Sequence, residues 1–314
     1  MNNNYPLVTV FTLIYNTNPK FVIEAIESVR ANNYPNLQHI IIDDCSPNPG
    51  PKKVVQEWIK KENYSCEFYE HEVNYGVCKT LNHVLELAKG KYIFGCSDDL
   101  ILSDKIITEV EILEKLNDTY AATYSDATLI DEQNNPLYGL FIQKYRSFHR
   151  LPEGNVYNIL LEGNFLPVMA MLWKTDVIRE VGGYDENLSY EDFDLHLRIF
   201  KKYKIKLINK KLAKYRIHSD SLMNNLTDWN KDLLRIYYKH LDQRIARDKI
   251  QEIVRIVISG STSITDLKKH YIKYPYFWFL FKKIFFFDSN IISRNILKLL
   301  QGLGLDLIRL VKIP

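Results

Sequence analysis

Apolar stretches alternate with polar segments along the first two thirds of the chain, and their spacing predicts a repeated strand and helix order. Residues 7–14 form a run of apolar and β-branched residues typical of a buried strand. Residues 20–31 follow an Asn-Pro turn and carry apolar residues at helical spacing. The chain therefore opens with a strand and a helix that packs on the sheet.

The same alternation continues downstream. It predicts further strands at residues 39–42, 67–69, 91–96, 167–173 and 206–215. It predicts further helices at residues 52–61, 79–89, 191–202 and, with Ser103 as cap, near 106–116. Residues 129–166 lose the pattern and are expected to form pocket loops. This order is typical of an α/β fold, with a mostly parallel central sheet and helices on both faces.

Polar clusters directly follow three of these strands. Tyr15 follows the strand at residues 7–14. The pair Asp43 and Asp44 follows the strand at 39–42, and the pair Asp98 and Asp99 follows the strand at 91–96. Sheets of this kind bind ligands at the carboxyl ends of their strands. We therefore expect these clusters to lie on one rim of the sheet.

The composition is that of an ordinary folded protein. The chain has 314 residues, 46% hydrophobic and 25% charged, with a formal net charge of +3. It can bury a core, and the small charge gives no reason to expect a nucleic-acid partner. The four scattered cysteines indicate reduced thiols, and the N-terminal residues lack a secretory pattern, so a cytoplasmic protein is expected. No run of about 20 apolar residues is present to span a bilayer.

The chain changes character near residue 229, which predicts two units, residues 1–228 and a helical C-terminal region, 229–314. Residues 271–287 are rich in aromatic residues, and residues 291–313 mix aliphatic with basic ones. Such a segment suits the headgroup zone of an anionic membrane, making a peripheral membrane enzyme our expectation. Packing on the first unit and a homodimer interface are equally open alternatives.

The acidic pairs each have a functional and a structural interpretation. Asp98 and Asp99 suit Mg²⁺ or Mn²⁺, which prefer oxygen ligands, although an Asp pair before a helix is more often a cap or a solvated turn. Asp43 and Asp44 could accept hydrogen bonds from a nucleoside, or could belong to the following turn.

Two further candidates lie later in the chain. Asp192, supported by Glu191, is a candidate general base for an acceptor hydroxyl, and the alternative is favourable charge at a helix N-terminus. His218 is the one histidine of eight that we would test as a metal or diphosphate contact. The other seven have no distinguishing sequence context.

The clusters, in this order, resemble the family 2 inverting glycosyltransferases of the GT-A fold, found in enzymes that build bacterial surface polysaccharides such as capsule and lipopolysaccharide. The resemblance covers roughly residues 6–225. It rests on the segments VTVFTLIYN, HIIIDDCS, NYGVCKTLNHVLELAKGKYIFGCSDD, LWKTDVIREVGGYDENLSYEDFDLHLR and YRIHSDSL.

The resemblance implies specific roles for the matching residues. Tyr15, Asp43 and Asp44 would line a nucleoside pocket. Asp98 and Asp99 would bind the metal, with Asp98 also facing the donor. His218 matches a histidine that reaches the metal or diphosphate in some members, and Asp192 matches the catalytic base.

Two positions depart from the family pattern. Cys96 stands where many members have a further Asp, which leaves open which of Asp98 and Asp99 ligates the metal directly. Leu81 stands where many have Arg, and Lys79 and Asn82 are candidates to take over its work near the phosphates.

The resulting expectation is an inverting, metal-dependent transfer of a sugar from a nucleotide diphosphate, with UDP the expected nucleotide, to a saccharide or lipid-linked acceptor. Two alternatives remain. A sugar-nucleotide nucleotidyltransferase would need a glycine-rich basic loop after the first strand, where this chain has TLIYNTNPK. A non-catalytic sugar-nucleotide-binding protein would need no base.

Overall fold

The structure, a computed structural model, describes residues 5–218 and 229–260. The chain divides into two compact units, Met1–Thr227 and Asp228–Pro314. The C-terminal segments proposed for a membrane or dimer contact, residues 271–287 and 291–313, lie outside the described residues, so that role stays a prediction. None of the described helices has the length and hydropathy that crossing a membrane requires.

Among the described residues, seven strands form the main sheet, in the order β10-β6-β9-β4-β1-β2-β3. They are β1 (Val8–Ile14), β2 (Leu37–Asp43), β3 (Glu67–Glu70), β4 (Tyr92–Gly95), β6 (Tyr120–Tyr124), β9 (Met171–Lys174) and β10 (Lys204–Leu207). Only β9 runs antiparallel to its neighbours β4 and β6, so the sheet is mostly parallel, as the sequence predicts.

A smaller sheet has the order β5-β11-β7-β8. Its strands are β5 (Leu100–Ile101), β7 (Ala127–Ile130), β8 (Pro136–Leu140) and β11 (Ala213–Arg216). The helices of the first unit are α1 (Pro19–Arg30), α2 (Pro49–Lys61), α3 (Val77–Leu87), α4 (Lys105–Lys115), α5 (Phe141–Tyr145), α6 (Tyr157–Leu161), α7 (Thr175–Glu180) and α8 (Glu191–Phe200), with a 3₁₀ turn at Val168–Ala170. In the second unit, α9 (Trp229–Tyr238) packs against α10 (Arg244–Gly260).

Strand β1 shows how helices come to cover both faces of the main sheet. Alternate side chains of a strand point to opposite faces. Val8 and Val10 pack with the apolar stripes of α1 and α4 in one core cluster. On the other face, Thr9 Oγ1 donates to Gln38 Oε1 at 2.7 Å, and Gln38 Nε2 donates to the carbonyl of Leu87 at the end of α3. Both faces are thus tied to helices.

Three local predictions were wrong. The supposed loop region, residues 129–166, contains the end of β7 together with β8, α5 and α6. The supposed single strand at 206–215 is split into β10 and β11, which belong to different sheets. Helix α4 has Asp104 rather than Ser103 at its N-cap, and no side chain caps it there. Short β-strands and five-residue helices carry too few residues to show a period.

A buried ion pair lies inside α4, on the face that packs on the main sheet. Lys105 Nζ donates to Glu109 Oε2 and, at 3.0 Å, to the carbonyl of Met171 in β9. Both charged side chains are fully buried. The ammonium also lies 4.1 Å from the ring centroid of Phe94. Burial raises the pKa of Glu109 to about 7, and the charge of Lys105 opposes this shift.

Lys105→Met should therefore destabilise the first unit by about 3–5 kcal/mol, because it leaves a buried carboxylate without its partner. The double variant Lys105→Met with Glu109→Leu should recover most of this loss, since no charge is then buried. Urea unfolding at pH 8 measures both. Equal losses in the single and double variants would show that the pair's packing, rather than its charge balance, sets the stability.

Candidate active site

Parallel pairing brings the polar clusters at the strand ends to one rim. Strand β1 lies between β2 and β4, and Ile14 is in register with Asp43. On the other side, the backbone N–H of Leu13 donates to Oγ of Ser97, which follows β4, at 3.0 Å. The segments that contain Tyr15, Asp43 and Ser97 are thus neighbours, as the strand order predicts.

The pair Asp98 and Asp99 is divided between solvent and interior. The Asp98 side chain is one-third exposed, and its Oδ2 lies 3.0 Å from His218 Nε2. Asp99 is buried, and its Oδ1 accepts a hydrogen bond of 2.8 Å from the backbone N–H of Arg216. The structure therefore brings His218, predicted as a further contact, directly to the acidic pair.

Arg216 holds this pair in place. Its Nε donates to the carbonyl of Asp98 at 2.8 Å, and its Nη2 forms an ion pair with Glu24 of α1 at 2.8 Å. A further bond of 2.7 Å joins Nη1 to Asn134 Oδ1, and the guanidinium lies 4.3 Å from the ring centroid of Phe21. The buried guanidinium thus links α1, β11 and the loop after β7 beneath the acidic pair.

The electrostatics of the pair favour a cation. Burial, and then the adjacent charge of Asp98, raise the pKa of Asp99 well above its usual range, while the N–H and charge of Arg216 oppose the shift. Two carboxylates and one imidazole offer oxygen and nitrogen donors that suit a divalent cation. Within residues 5–218 and 229–260, however, no group of three or more His, Cys, Asp or Glu side chains is arranged to hold a metal. The donor chemistry fits, and the arrangement would have to adjust on binding.

Asp44 organises the loop before α3. Its Oδ1 accepts from the backbone N–H of Tyr75 at 2.9 Å, and its Oδ2 accepts from that of Gly76 at 2.8 Å. Oδ1 also lies 2.7 Å from Nδ1 of His71. A carboxylate offers about four acceptor positions, so one remains for a ligand N–H.

Asp43 is fully buried and serves the turn after β2. Its Oδ1 accepts from Ser46 Oγ at 2.6 Å and its Oδ2 from the Ser46 backbone N–H at 3.1 Å. Lys52 Nζ lies 3.7 Å from Oδ2. Every one of these contacts is what the turn interpretation predicts, so any contact of Asp43 with a nucleoside stays a prediction.

A cleft of about 400 Å³ lies beside Asp44. Nine residues line it: Glu70, His71, Glu72, Tyr75, Lys79, Asn82, His83, Glu86 and Glu186. His71 Nε2 lies 2.9 Å from His83 Nδ1, and the two imidazoles stack. A hydrogen-bonded row therefore runs from Asp44 through both histidines along the wall of the cleft.

Three other predicted residues take different positions. Tyr15 is 47% exposed at the end of β1, where its ring is available for stacking. Lys79 is exposed in the lining of the cleft. Asn82 is committed to the loop before α8: its Oδ1 accepts from the backbone N–H of Tyr184, and its Nδ2 donates to that residue's carbonyl and to Glu186.

The acidic pair of α8 lies at the start of that helix. Asp192 is partly buried; its Oδ1 accepts from the backbone N–H of Phe193 at 2.7 Å, and its Oδ2 from Asn164 Nδ2 at 3.1 Å. Burial raises the pKa of Asp192 to about 6, and these two hydrogen bonds oppose the shift. Glu191 and Asp194 share the first turn, so the helix-terminus interpretation also holds. Asp192 combines a structural position with a pKa suited to proton transfer near neutral pH.

Contacts through α3 connect the two regions. Gly76, bonded to Asp44, precedes the first residue of α3, and Cys78 in its first turn donates to the carbonyl of Leu188, in the loop that leads to α8. The nucleoside candidate and the loop that leads to the base candidate therefore both border the N-terminal turn of α3.

Sequence reasoning missed five residues in these networks: Asn164, His71, His83, His196 and Arg216. Three are among the seven histidines that lack sequence context, and their contacts arise from residues distant in the chain. Arg216 does lie in the segment YRIH, two residues before His218. Its proximity to a candidate was the one signal available for it.

These features define an α/β protein with acidic side chains at the strand ends and a cleft of about 400 Å³ beside Asp44. Residues 9–174 match the glycosyl transferase family 2, and the chain belongs to this family.

Among its relatives is an uncharacterised glycosyltransferase of Rickettsia bellii, 27% identical over 79% of this chain and 35% of the relative. The chain thus spans about a third of that relative's length. A putative teichuronic acid biosynthesis glycosyltransferase, TuaG of Bacillus subtilis, is 27% identical over 72% of this chain and 84% of its own.

Solved structures show the same fold. TarS of S. aureus (residues 1–349), in complex with UDP-GlcNAc, superposes with a TM-score of 0.60 at 16% identity, over 88% of this chain and 80% of that one. The mannosyltransferase PcManGT of Pyrobaculum calidifontis, in complex with GDP-Man and Mn²⁺, gives 0.57 at 14% identity, over 90% and 88%. The first unit therefore has the GT-A glycosyltransferase fold, as the resemblance implied.

Asp44→Ala should loosen the loop before α3, because the N–H groups of Tyr75 and Gly76 lose their acceptor. We expect local opening to become easier by about 1–3 kcal/mol. Hydrogen exchange followed by mass spectrometry should show faster exchange in peptides covering residues 72–80. Glu72→Ala, which removes an exposed carboxylate from the same loop, is the matched control and should exchange like the parent protein. Unchanged exchange in Asp44→Ala would contradict this role.

Proposed function

We propose that this family 2 glycosyltransferase is an inverting, metal-dependent enzyme. It transfers a sugar from a UDP-sugar to a saccharide or lipid-linked acceptor in surface-polysaccharide synthesis. It would work in the cytoplasm, at the inner face of the membrane where the acceptor is lipid-linked.

The observation that carries the proposal is the Asp192 carboxylate. Its pKa of about 6 leaves it mostly ionised at pH 7, yet basic enough to accept a proton as a hydroxyl attacks. An exposed carboxylate at a helix N-terminus would titrate lower, because water and the helix dipole both favour its charge. Burial at this position is what a general base requires.

A single base is consistent with inversion. The acceptor oxygen would form the new bond to the anomeric carbon as the bond to the nucleotide diphosphate breaks, and Asp192 would take the hydroxyl proton. The nucleotide diphosphate leaves with the bonding electron pair. Retention through a covalent intermediate would instead need a carboxylate nucleophile at that carbon.

Asp98, Asp99 and His218 would hold a divalent cation. Such a cation would supply positive charge to balance that developing on the leaving diphosphate. The raised pKa of Asp99 is consistent with this role, because burial and then the charge of Asp98 cause it, and a bound cation would offset both. The Mn²⁺ in the PcManGT complex supports it by likeness of fold.

The donor would lie across the β1, β2 and β4 ends. Tyr15 would stack on the base, the remaining acceptor position of Asp44 would receive a base or ribose donor, and Lys79 would face the phosphates. The UDP-GlcNAc bound to TarS supports a UDP-sugar, and the likeness to TuaG, a putative teichuronic acid biosynthesis glycosyltransferase, supports a surface-polysaccharide product.

The two alternatives differ in what the site must contain. A nucleotidyltransferase must hold a triphosphate, for which the segment between β1 and α1, Tyr15–Asn16–Thr17–Asn18, offers neither glycine nor a basic residue. Release of pyrophosphate from UTP and a sugar 1-phosphate would favour it. A non-catalytic binding protein would bind donor without consuming it.

Asp192→Asn should lower turnover by about 10²–10⁴-fold, because an amide cannot accept the proton. Donor affinity should stay within about twofold of the parent protein, since the change leaves the nucleotide contacts intact. The measurement is a screen of sugar nucleotides with Mn²⁺, scored by nucleotide release, together with calorimetric binding of UDP. Asp118→Asn, at a fully exposed carboxylate, is the control. Undiminished turnover in Asp192→Asn would remove Asp192 from the base role.

Asp98→Ala should weaken Mn²⁺ binding in the presence of UDP by about tenfold or more, because it removes both a ligand and the partner of His218. Calorimetric titration of Mn²⁺ into the UDP complex measures this without any turnover. EDTA should abolish nucleotide release by the parent protein, and added Mn²⁺ should restore it. Equal Mn²⁺ affinity in Asp98→Ala and Asp118→Asn would refute the metal assignment.

A further inference from the structure

A hydrogen-bonded chain of neutral side chains lies behind Asp192. Asn164, in the loop after α6, donates through Nδ2 to Asp192 Oδ2 at 3.1 Å. The other end of its amide, Oδ1, lies 3.2 Å from Nδ1 of His196. His196 follows Asp192 by four residues in α8, so both side chains lie on one helical face. The amide of Asn164 therefore bridges the base candidate to the next turn of its own helix.

The orientation of the Asn164 amide follows from its backbone neighbour. The N–H of Leu166 donates to Oδ1 at 3.3 Å, and a backbone N–H can only donate. Oδ1 must then face Leu166 and His196, which turns the NH₂ group toward Asp192. Since Oδ1 can only accept, Nδ1 of His196 must carry the proton in this contact. Each group in the chain thus has one assigned role.

Burial and stacking hold the His196 side chain in one position, and burial keeps its imidazole neutral. The side chain is 1% exposed and stacks on Trp173, with ring centroids 5.4 Å apart. Burial lowers the pKa of His196 to about 3, so the ring is neutral wherever Asp192 is ionised. The neutral ring held in this stack contacts Asn164 through Nδ1.

On the basis of the proposed function, we propose that Asn164 and His196 are positioning residues that aim the Asp192 carboxylate at the acceptor hydroxyl. His196 fixes the amide of Asn164, and Asn164 fixes one carboxylate oxygen while the N–H of Phe193 fixes the other. With both oxygens anchored, the remaining lone pairs point in defined directions. A base must lie within hydrogen-bond reach of the proton it removes, so this anchoring matters for transfer.

Other titratable groups also surround Asp192, and they stay constant in the test. Glu191 precedes it in the chain, and the buried phenol of Tyr184 has its pKa raised by burial and then by the charges of Glu191 and Asp192. Arg198 acts on Tyr184 in the opposite direction. None of these three is altered in the variants below.

Two substitutions of His196 separate its hydrogen bond from its packing. His196→Phe keeps an aromatic ring against Trp173 and removes the donor. His196→Asn keeps a donor near the position of Nδ1 and removes the ring. Asn164→Leu removes the amide with little change in volume. Any general loss of packing should be at least as large in His196→Asn as in His196→Phe.

The readout is the titration midpoint of the Asp192 carboxyl carbon, followed by NMR in protein labelled with ¹³C at aspartate. Its signal is identified by its absence from Asp192→Asn. We expect Asn164→Leu to raise the midpoint by about one pH unit, because the ionised form loses a hydrogen bond. His196→Phe should raise it in the same direction, because the amide that donates this bond is no longer fixed. His196→Asn should titrate like the parent protein. In a nucleotide-release assay, the first two variants should lower kcat by about tenfold, with UDP affinity unchanged.

Midpoints equal to the parent value in both Asn164→Leu and His196→Phe would overturn the inference, and so would equal shifts in His196→Phe and His196→Asn. Failure of the proposed function has a different signature. In that case Asp192→Asn would match the parent protein in nucleotide release, whatever the midpoints of the positioning variants. The NMR titration requires neither donor nor acceptor, so the two outcomes are independent.

Discussion

The parallel pairing of β1 with both β2 and β4 is the constraint on which the site depends. It sets the carboxyl ends of three strands side by side, so that residues distant in the sequence share one rim. A polar turn follows each strand end, and neighbouring turns are hydrogen-bonded to one another. The backbone N–H of Asn16, after β1, donates to Oγ of Ser46, after β2. A shift of one residue in this register would send the side chains of β1 to the opposite face.

Different partners stabilise the acidic side chains of the candidate site. Arg216 places a buried positive charge and an N–H group beneath Asp98 and Asp99. Asp44 is stabilised by backbone N–H groups of the α3 loop. Asp192 accepts hydrogen bonds from Phe193 and Asn164, and burial raises its pKa to about 6. Burial raises the pKa of Asp99 as well as that of Asp192, so these two carboxylates differ in their partners rather than in the direction of the shift.

The sequence predicts most of the main sheet, although not β6, and little of the second sheet, for a physical reason. Strands such as β1 and β2 are buried on both faces, so they read as continuous apolar runs. By contrast, β5 has two residues and β8 is largely exposed, and neither leaves a pattern. The candidate carboxylates were visible because they directly follow readable strands. Their partners, Asn164 and His71, could not be predicted, because a hydrogen bond between residues distant in the chain produces no local sequence pattern.

Burial explains why the residues behind Asp192, Asn164 and His196, are neutral. A buried basic group behind Asp192 would either lose its own charge or keep the carboxylate ionised, since a buried ion pair shifts the pKa of both partners. An imidazole with its pKa near 3, acting through an amide, holds the carboxylate in place without such a charge. The Lys105 and Glu109 pair in α4 shows the contrasting solution, in which an opposite charge accompanies a buried carboxylate. A base must exchange its proton during the reaction, so neutral anchoring suits Asp192, whereas a permanent ion pair suits a core.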